Sequence, residues 1–391
     1  MIIILGGVML VGLFFSYTDI VRFKKTYMLV LLFSLATLGM LYDPVKAYLI
    51  NGDYTDLYRM FSEIDNFRLF GWNADISTPT AMTTNYNAIL VGKMYMYFIA
   101  LISNNDHLLS FINAILTYSA AAIGINIVGM KFDLSNTKIV STFVFFVLIN
   151  DYSRVIANIR MPLAIAVFML IFSFEIKDDK KKLWEYFAYI ALCLLHNAMF
   201  LYLGIKLLVD IIPRSFRKFL ILIMTASSIM VTPILSILMR FGGASSIVEG
   251  LVQKIQLYTG SNKVGFSLLS ANVRMTLINM VRLCFFIFLI ILCKRIGGNS
   301  SQSRSIDRFI CFGEMLVALA LGSLWSIDLF NRTVLFMLAI IPFYMIIISS
   351  ERNVRVLPLK KMDGYTVISW LFLILNLLYY FGSYVYQQLV F

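Results

Sequence analysis

The sequence has few charged residues: Asp, Glu, Lys and Arg make up 14% of its 391 residues, against about 25% in an average soluble domain. Hydrophobic residues make up 60%, and they form long continuous runs instead of alternating with polar residues. Such runs cannot all share one water-excluded core, so they face lipid. The composition therefore excludes an ordinary soluble fold and predicts an all-α polytopic integral membrane protein.

The chain also has few of the residues that metal and redox centres require. Its two histidines, His107 and His196, are too far apart for an HExxH helix, and no Cys/His cluster indicates zinc. The four cysteines stand inside apolar runs, which argues against a disulfide framework or a CxxC redox pair. Walker, GxGxxG and GxSxG motifs are missing as well, which argues against a nucleotide-driven pump or a serine hydrolase. We expect no cofactor and no metal ion.

The apolar runs predict roughly 11–13 transmembrane helices, since a span needs about 20 apolar residues and fewer where flanking side chains snorkel. Candidate spans are residues 2–17, 27–42, 88–103, 108–130, 139–150, 155–176, 183–197, 198–212, 219–240, 275–293, 309–325, 334–349 and 364–381. Lys and Arg are retained in cytoplasmic loops. Basic clusters set the orientation, and they contain much of the positive charge behind the net charge of +12: Arg22 to Lys25, Lys177 to Lys182, Arg214 to Lys218, Lys294 to Arg308 and Arg352 to Lys361.

The number of crossings in the N-terminal third is open. Five candidate spans lie between the first two basic clusters, whereas two cytoplasmic loops must be joined by an even number of crossings. Either 139–150 is re-entrant, or 88–103 does not cross fully. Lys131 and Lys138 slightly favour the second alternative, because both prefer the cytoplasm.

Two long connections are predicted on the outer face. Residues 43–87 form an acidic loop rich in aromatic residues, and residues 241–274 form a loop with paired glycines and two lysines. We treat residues 1–391 as a single transmembrane domain that carries these two outer loops. Long ordered loops outside a helical bundle usually carry function. We therefore expect a site on this face, although such loops can also merely cap a bundle.

Several ionisable and aromatic side chains are predicted around this outer face. They are Asp53, Tyr54, Tyr58, Arg59 and Trp72 in the first loop, Arg154, Arg160 and His196 at the outer ends of spans, and Arg240, Arg274, Asp328 and Arg332 around the second loop. Each alone has a structural explanation as an interfacial anchor, an interhelical hydrogen bond or a solvated helix face. Together they indicate a charged cavity. The planar fork of arginine suits phosphate oxygens, so we expect a lipid-linked diphosphate as the ligand.

At these residues the sequence resembles the Wzy-type polysaccharide polymerases of the EpsG-like family, which join lipid-linked repeat units into exopolysaccharide, capsule or O-antigen. The resemblance runs over most of the chain but is carried by a few short stretches: Asp53-Tyr54 with Tyr58 and Phe61, Asn158-Ile159-Arg160, His196, and Asn331-Arg332. Two positions depart from the family. Met161 follows the central arginine where the family often has Gln, and Ala198 stands where it often has Ser.

The resemblance implies glycosyl transfer on the outer face of the bacterial cytoplasmic membrane. The growing glycan on undecaprenyl diphosphate would be moved onto the non-reducing end of an incoming lipid-linked unit, without metal and without nucleic acid. The bilayer surrounds the protein, and a flippase and a chain-length regulator of the same pathway are candidate partners. A GT-C-like architecture is compatible with this function.

The same resemblance suggests roles for individual residues. Arg160 and Arg332 would stabilise the leaving diphosphate, with Arg274 or Arg240 as a further clamp. The acceptor hydroxyl would be oriented or deprotonated by one of two groups, Asp53 or His196. Aromatic side chains would stack against sugar rings, namely Tyr54, Tyr58 and Trp72.

Three other functions share the charged outer site. A flippase or transporter of lipid-linked sugars would need access from both faces, and it does not explain two large loops on one side. A membrane O-acyltransferase has a histidine that follows a polar partner at a spacing like that of Asn158 and His196. An O-antigen ligase-like enzyme performs the same chemistry on a different acceptor.

Overall fold

A computed structural model describes residues 24–44, 56–73, 90–150, 152–213, 215–226, 267–297, 304–324, 326–350, 358–359, 362–363 and 368–379, and these residues are almost entirely α-helical. The helices of the first half are α1 (Lys24–Met40), α2 (Asp56–Phe70), α3 (Leu90–Ile102), α4 (His107–Lys131), α5 (Asn136–Ile149), α6 (Tyr152–Ala157), α7 (Arg160–Asp178), α8 (Leu183–Leu195) and α9 (Met199–Ile211). A 3₁₀ turn, Gly71–Asn73, follows α2.

The second half continues the helical pattern. Its helices are α10 (residues 215–226), α11 (Ser267–Gly297), α12 (Arg304–Gly322), α13 (Ile327–Ser350) and α14 (Ile368–Tyr379). Between α13 and α14, β1 (Pro358–Leu359) pairs antiparallel with β2 (Met362–Asp363), with Pro358 opposite Asp363 and Leu359 opposite Met362. The predicted helical fold class is confirmed for the described residues.

Within the described part of the chain, three helices are long and apolar enough to cross a membrane: His107–Lys131, Met275–Arg295 and Asp328–Ser350. Other apolar helices are shorter, among them α1, α3, α5, α8 and α14. At 1.5 Å per residue, α3 is only about 20 Å long, less than the ~30 Å of a hydrocarbon core.

A proline explains why one predicted span is divided. The run predicted as 155–176 covers the end of α6, at Ala157, and most of α7, which begins at Arg160. Pro162 lies in the first turn of α7, where its missing N–H is tolerated. Its ring would clash with the carbonyl of Asn158 in a continuous helix. The chain therefore turns at Asn158 and Ile159, and Arg160 starts a new helix.

Both predicted outer loops include helical residues. Within 43–87, α2 buries one face that includes Leu57, Met60, Ile64 and Phe67, so it is a packed helix whose outer face alone is solvated. Within 241–274, α11 already begins at Ser267. The residues that it adds contain neither Gly nor Pro, so nothing local stops the helix.

The described residues fall into two compact units, Met1–Gly204 with Pro342–Phe391, and Ile205–Ile341. In the first unit α4 packs against α1, α5 and α7. Gly124 of α4 lies against Leu170 of α7, and Lys131 at the end of α4 acts electrostatically on Asp178 at the end of α7. These two helices are therefore parallel.

The partners on either side of α4 run antiparallel to it. The His107 ring at the start of α4 meets the Tyr42 carbonyl just after α1. Near the end of α4, Gly129 contacts Ile139 at the start of α5, and the Tyr118 ring lies 6.2 Å from that of Phe146 further along α5.

The ends of several helices lie together at one end of the first unit, which we call the lysine-rich end. Lys131 closes α4, and Lys138 in the first turn of α5 donates to the Ser349 carbonyl near the end of α13 (3.4 Å). Asp178 closes α7 and pairs with Lys182. The hydrogen bond from Lys182 lowers the pKa of the Asp178 carboxyl, partly opposed by desolvation, and nearby lysine charges, including that of Lys131, add to the lowering.

The contact of α4 with α5 depends on Gly129. A Cβ at this position would lie 2.7 Å from Cγ1 of Ile139 and 2.9 Å from its Cδ1. We expect Gly129→Ala to lower the free energy of unfolding, because overpacking costs about 1–3 kcal/mol and the better helix propensity of alanine returns at most about 1 kcal/mol. Thermal unfolding in detergent measures this.

Gly204→Ala is the matched control, since a Cβ there meets nothing within 4 Å. That variant should be neutral or slightly stabilised. Equal transition temperatures for the two variants would contradict the proposed α4–α5 contact.

In the second unit, α11 packs against α12. Arg217 of α10 binds Asp307 of α12 (2.8 Å), and Lys294 near the end of α11 binds Glu314 of α12. Arg217, Lys294 and Asp307 belong to segments predicted to be cytoplasmic.

Candidate functional site

The first candidate site is a partly buried charge network that we call the Arg160 cluster: Asp56, Arg59 and Glu63 of α2 with Arg160 of α7. The Arg160 side chain is only 6% exposed, and its Nη2 lies 3.7 Å from Oδ2 of Asp56. Arg59 donates to Oδ1 of the same carboxylate (2.8 Å). Its Nε lies 3.5 Å from Oε1 of Glu63, whose side chain is 4% exposed.

Helix geometry explains how this network forms. Residues three and four apart on a helix share a face, so Asp56, Arg59 and Glu63 form one row along α2. Pro162 sets the start of α7 and so positions Arg160 beside the first residue of that row. Two arginines and two carboxylates balance one another, which the buried members Arg160 and Glu63 require. The Asp56 carboxylate thereby holds two guanidinium groups close together.

The aromatic candidates Tyr58 and Trp72 lie on or just after the same helix. Tyr58 is half-buried on α2. Trp72 follows α2 in the 3₁₀ turn, where Nζ of Lys93 lies 4.4 Å from its ring centroid and the Tyr97 ring packs edge-on at 5.3 Å. Lys93 lies over one face of the indole, so Trp72 packs against α3.

His196 caps the C-terminus of α8. The contacts Phe174 to Trp184 and Phe168 to Tyr189 show that α7 and α8 are antiparallel, so His196 lies toward the end of α7 that carries Arg160. Its Nδ1 accepts a hydrogen bond from the Ala198 N–H (3.2 Å). The neutral ring then carries its proton on Nε2 and acts there as a donor.

A second polar cluster lies in the second unit. Arg332 binds both carboxylate oxygens of Asp328: its Nε donates to Oδ1 (3.1 Å), and its Nη2 lies 2.9 Å from Oδ2. Next to it in sequence, Asn331 accepts a hydrogen bond from Asn279 of α11 (2.6 Å), and Asn279 accepts one from Arg282 (2.9 Å). Asp328 therefore orients the Arg332 side chain.

Sequence reasoning missed the contribution of Arg282. Arg282 is only 3% exposed and lies inside an apolar helix long enough to cross a membrane. An arginine in such a run, one turn after an asparagine, was the available signal. The predicted site residues flank the second loop, whereas these contacts lie further along α11.

The remaining predicted site residues fall outside the described part. Asp53, Tyr54 and Arg240 are not among the described residues. Arg154 lies on α6 and Arg274 on α11, but their side chains are outside the description.

Sequence reasoning also missed a polar cleft at the junction of α1, α2, α3 and α4, which we call the His107 cleft. It is an open depression of about 740 Å³, lined by Asp43, Phe61, Ser103, Asn104, Asn105, Asp106 and His107. The available signal was the polar run Ser103 to His107 between two apolar helices. The sequence prediction considers His107 only as a metal ligand and does not place it in a polar cleft.

Arg68 of α2 anchors the wall of this cleft. It contacts Asp106 (2.5 Å), Asp65 (2.7 Å) and the Ser103 carbonyl (2.7 Å). These contacts tie the turn between α3 and α4 to α2. The cleft is therefore fixed by three helices at once.

Among the residues described, no group of three or more His, Cys, Asp or Glu side chains is placed to hold a metal ion. Span-length apolar helices with buried ionisable clusters are features of an α-helical membrane protein. No protein-family model matches the chain, and neither curated proteins nor solved structures give a significant match.

Proposed function

We propose that the chain is a membrane glycosyltransferase that polymerises oligosaccharide repeat units carried on undecaprenyl diphosphate, at the outer face of the bacterial cytoplasmic membrane. One observation supports this above the others. Asp56 borders the acidic and aromatic stretch, Arg160 belongs to the central arginine segment, and the two side chains meet in one partly buried cluster. A residue next to the acidic and aromatic stretch and the central arginine are thus neighbours, although they are far apart in the sequence.

The Arg160 cluster has the chemistry that the proposed reaction requires. The acceptor hydroxyl oxygen attacks the anomeric carbon of the growing glycan, the bond from that carbon to the diphosphate oxygen breaks, and the electron pair leaves with the diphosphate. A base takes the hydroxyl proton. Arg160 and Arg59 are prepositioned for the developing negative charge, and Asp56 holds the two cations together until an anion arrives.

The helix directions support an outward-facing cluster. If the lysine-rich end is cytoplasmic, then α1 leads outward, α4 inward, α5 outward and α7 inward, which makes four crossings. In this proposal α3 does not cross, since Lys93 at its start is held by Trp72 of the first outer loop. The number of crossings between the first two basic clusters is then even, as two cytoplasmic loops require, and Arg160 lies on the outer side. The shorter apolar helices complete a polytopic bundle.

Product analysis with purified protein tests the proposed activity. The protein in nanodiscs is incubated with lipid-linked repeat units extracted from its own host, and the products are separated by size. A ladder of multiples of the repeat unit is expected. A single transfer to another acceptor would instead identify a ligase. Movement of the lipid between leaflets of sealed vesicles without new glycosidic bonds would contradict the proposal and identify a flippase.

A further inference from the structure

We infer that the His107 cleft binds a sugar and is the subsite for the acceptor end of the incoming repeat unit. Its role as an acceptor subsite rests on the proposed polymerase activity, whereas its ability to bind a sugar does not. The volume of about 740 Å³ is within the usual range of small-ligand sites.

The groups that line the cleft match the surface of a sugar. Hydroxyl groups donate and accept hydrogen bonds, and the amides of Asn104 and Asn105 and the carboxylates of Asp43 and Asp106 line the cleft. One oxygen of Asp106 binds Arg68, and the Asn105 carbonyl accepts from the His107 N–H. Phe61, which is 9% exposed, adds a small apolar patch to the wall. The mixture of acceptors, donors and one aromatic ring favours a hydroxylated ligand over an inorganic ion.

His107 is held in a defined tautomer. Its Nδ1 lies 3.1 Å from the Tyr42 carbonyl oxygen, which can only accept, so the proton of the neutral ring is on Nδ1. Nε2 is then an acceptor for a hydroxyl proton. His196 has the opposite arrangement, because its Nδ1 accepts from a backbone N–H. Of the two histidines, His107 is therefore the one prepared to receive a hydrogen bond from an acceptor hydroxyl.

The cleft is also close to the Arg160 cluster. Phe61 in its wall follows Asp56 on the same helix, about 7.5 Å further along the axis at 1.5 Å per residue. The ring of His107 packs edge-on against Phe61 at 5.4 Å. The wall of the cleft and the Arg160 cluster are therefore both built in part on α2, about one turn and a half apart along its axis.

Direct binding of free sugars tests this inference. Saturation-transfer NMR titrations are run on the purified full chain with glucose, galactose, mannose, N-acetylglucosamine and N-acetylgalactosamine. At least one sugar is expected to bind to the wild type. Asn104→Ala should weaken its binding about threefold to tenfold, the effect of one lost hydrogen bond. His107→Asn should do the same, because its amide can still donate to the Tyr42 carbonyl while the acceptor at Nε2 is lost.

Asn136→Ala is the matched control, since Asn136 is an exposed asparagine at the lysine-rich end. It should leave the dissociation constant unchanged. Binding of none of the five sugars, or unchanged binding in both cleft variants, would overturn the inference. If the protein binds a sugar but forms no product ladder, the polymerase proposal is wrong and sugar binding in the cleft stands. If it forms a ladder but both cleft variants bind sugar as the wild type does, only the inference about the cleft is wrong.

Discussion

Arg160→Lys is expected to reduce the rate of ladder formation about 10²- to 10³-fold, as the loss of one prepositioned oxyanion donor does in other enzymes. The guanidinium is almost fully buried and lies beside Asp56 with Arg59 on the other oxygen of that carboxylate. Lysine keeps the charge but loses the planar fork that binds two phosphate oxygens at once. Initial rates of product formation at saturating lipid-linked substrate measure the effect.

Arg217→Lys is the matched control, because Arg217 also pairs with a carboxylate, that of Asp307, in a segment predicted to be cytoplasmic. Its rate should stay close to that of the wild type. Thermal unfolding of both variants shows whether either has lost its fold. A folded Arg160→Lys variant that produces full-length polymer at the wild-type rate would exclude Arg160 from diphosphate binding.

Lys206→Met is expected to lower the free energy of unfolding by about 3–5 kcal/mol, the usual effect of removing one partner from a buried ion pair. Lys206 and Asp210 are one turn apart on α9, 2.7 Å from each other, with side chains only 0% and 2% exposed. Without the ammonium group, Asp210 must stay charged in an apolar environment or take up a proton. Thermal unfolding in detergent, followed by size-exclusion chromatography, measures the change.

The double variant Lys206→Met with Asp210→Leu separates pairing from packing. Replacing both members of a buried pair by apolar residues of similar size is often neutral or stabilising, so the double variant should recover most of the stability lost in the single one. If both variants were equally unstable, the loss would come from packing of the lysine stem, and the ion pair would not be the cause.

Much of the helical fold was predictable from the sequence, because a span-length apolar run has few alternatives to a helix. The runs behind α4 and α13 and the break near Pro162 are local properties. The role of α3 was not decidable from its own residues. Its short length and its contact with Trp72 depend on α2, which lies in a different part of the chain.

The candidate site was predictable in part. Arg160 was singled out from an arginine at the start of a span, and its partner Asp56 came from a stretch already recognised as acidic and aromatic. The cleft has no sequence signature, because Asp43 becomes a neighbour of Asp106 and His107 only when α1 and α4 pack together. A hydrogen bond to a carbonyl of another segment determines the tautomer of His107, and no sequence motif encodes such a contact.

The parallel packing of α4 and α7 has a further consequence for the electric field of the first unit. Each helix has a macrodipole equivalent to about half a positive charge at its N-terminus and half a negative charge at its C-terminus. Two positive ends therefore lie toward His107 and Arg160, and two negative ends lie toward Lys131 and Lys177 in their last turns. The lysines offset the negative ends, while the opposite end attracts anions through the backbone as well as through its arginines.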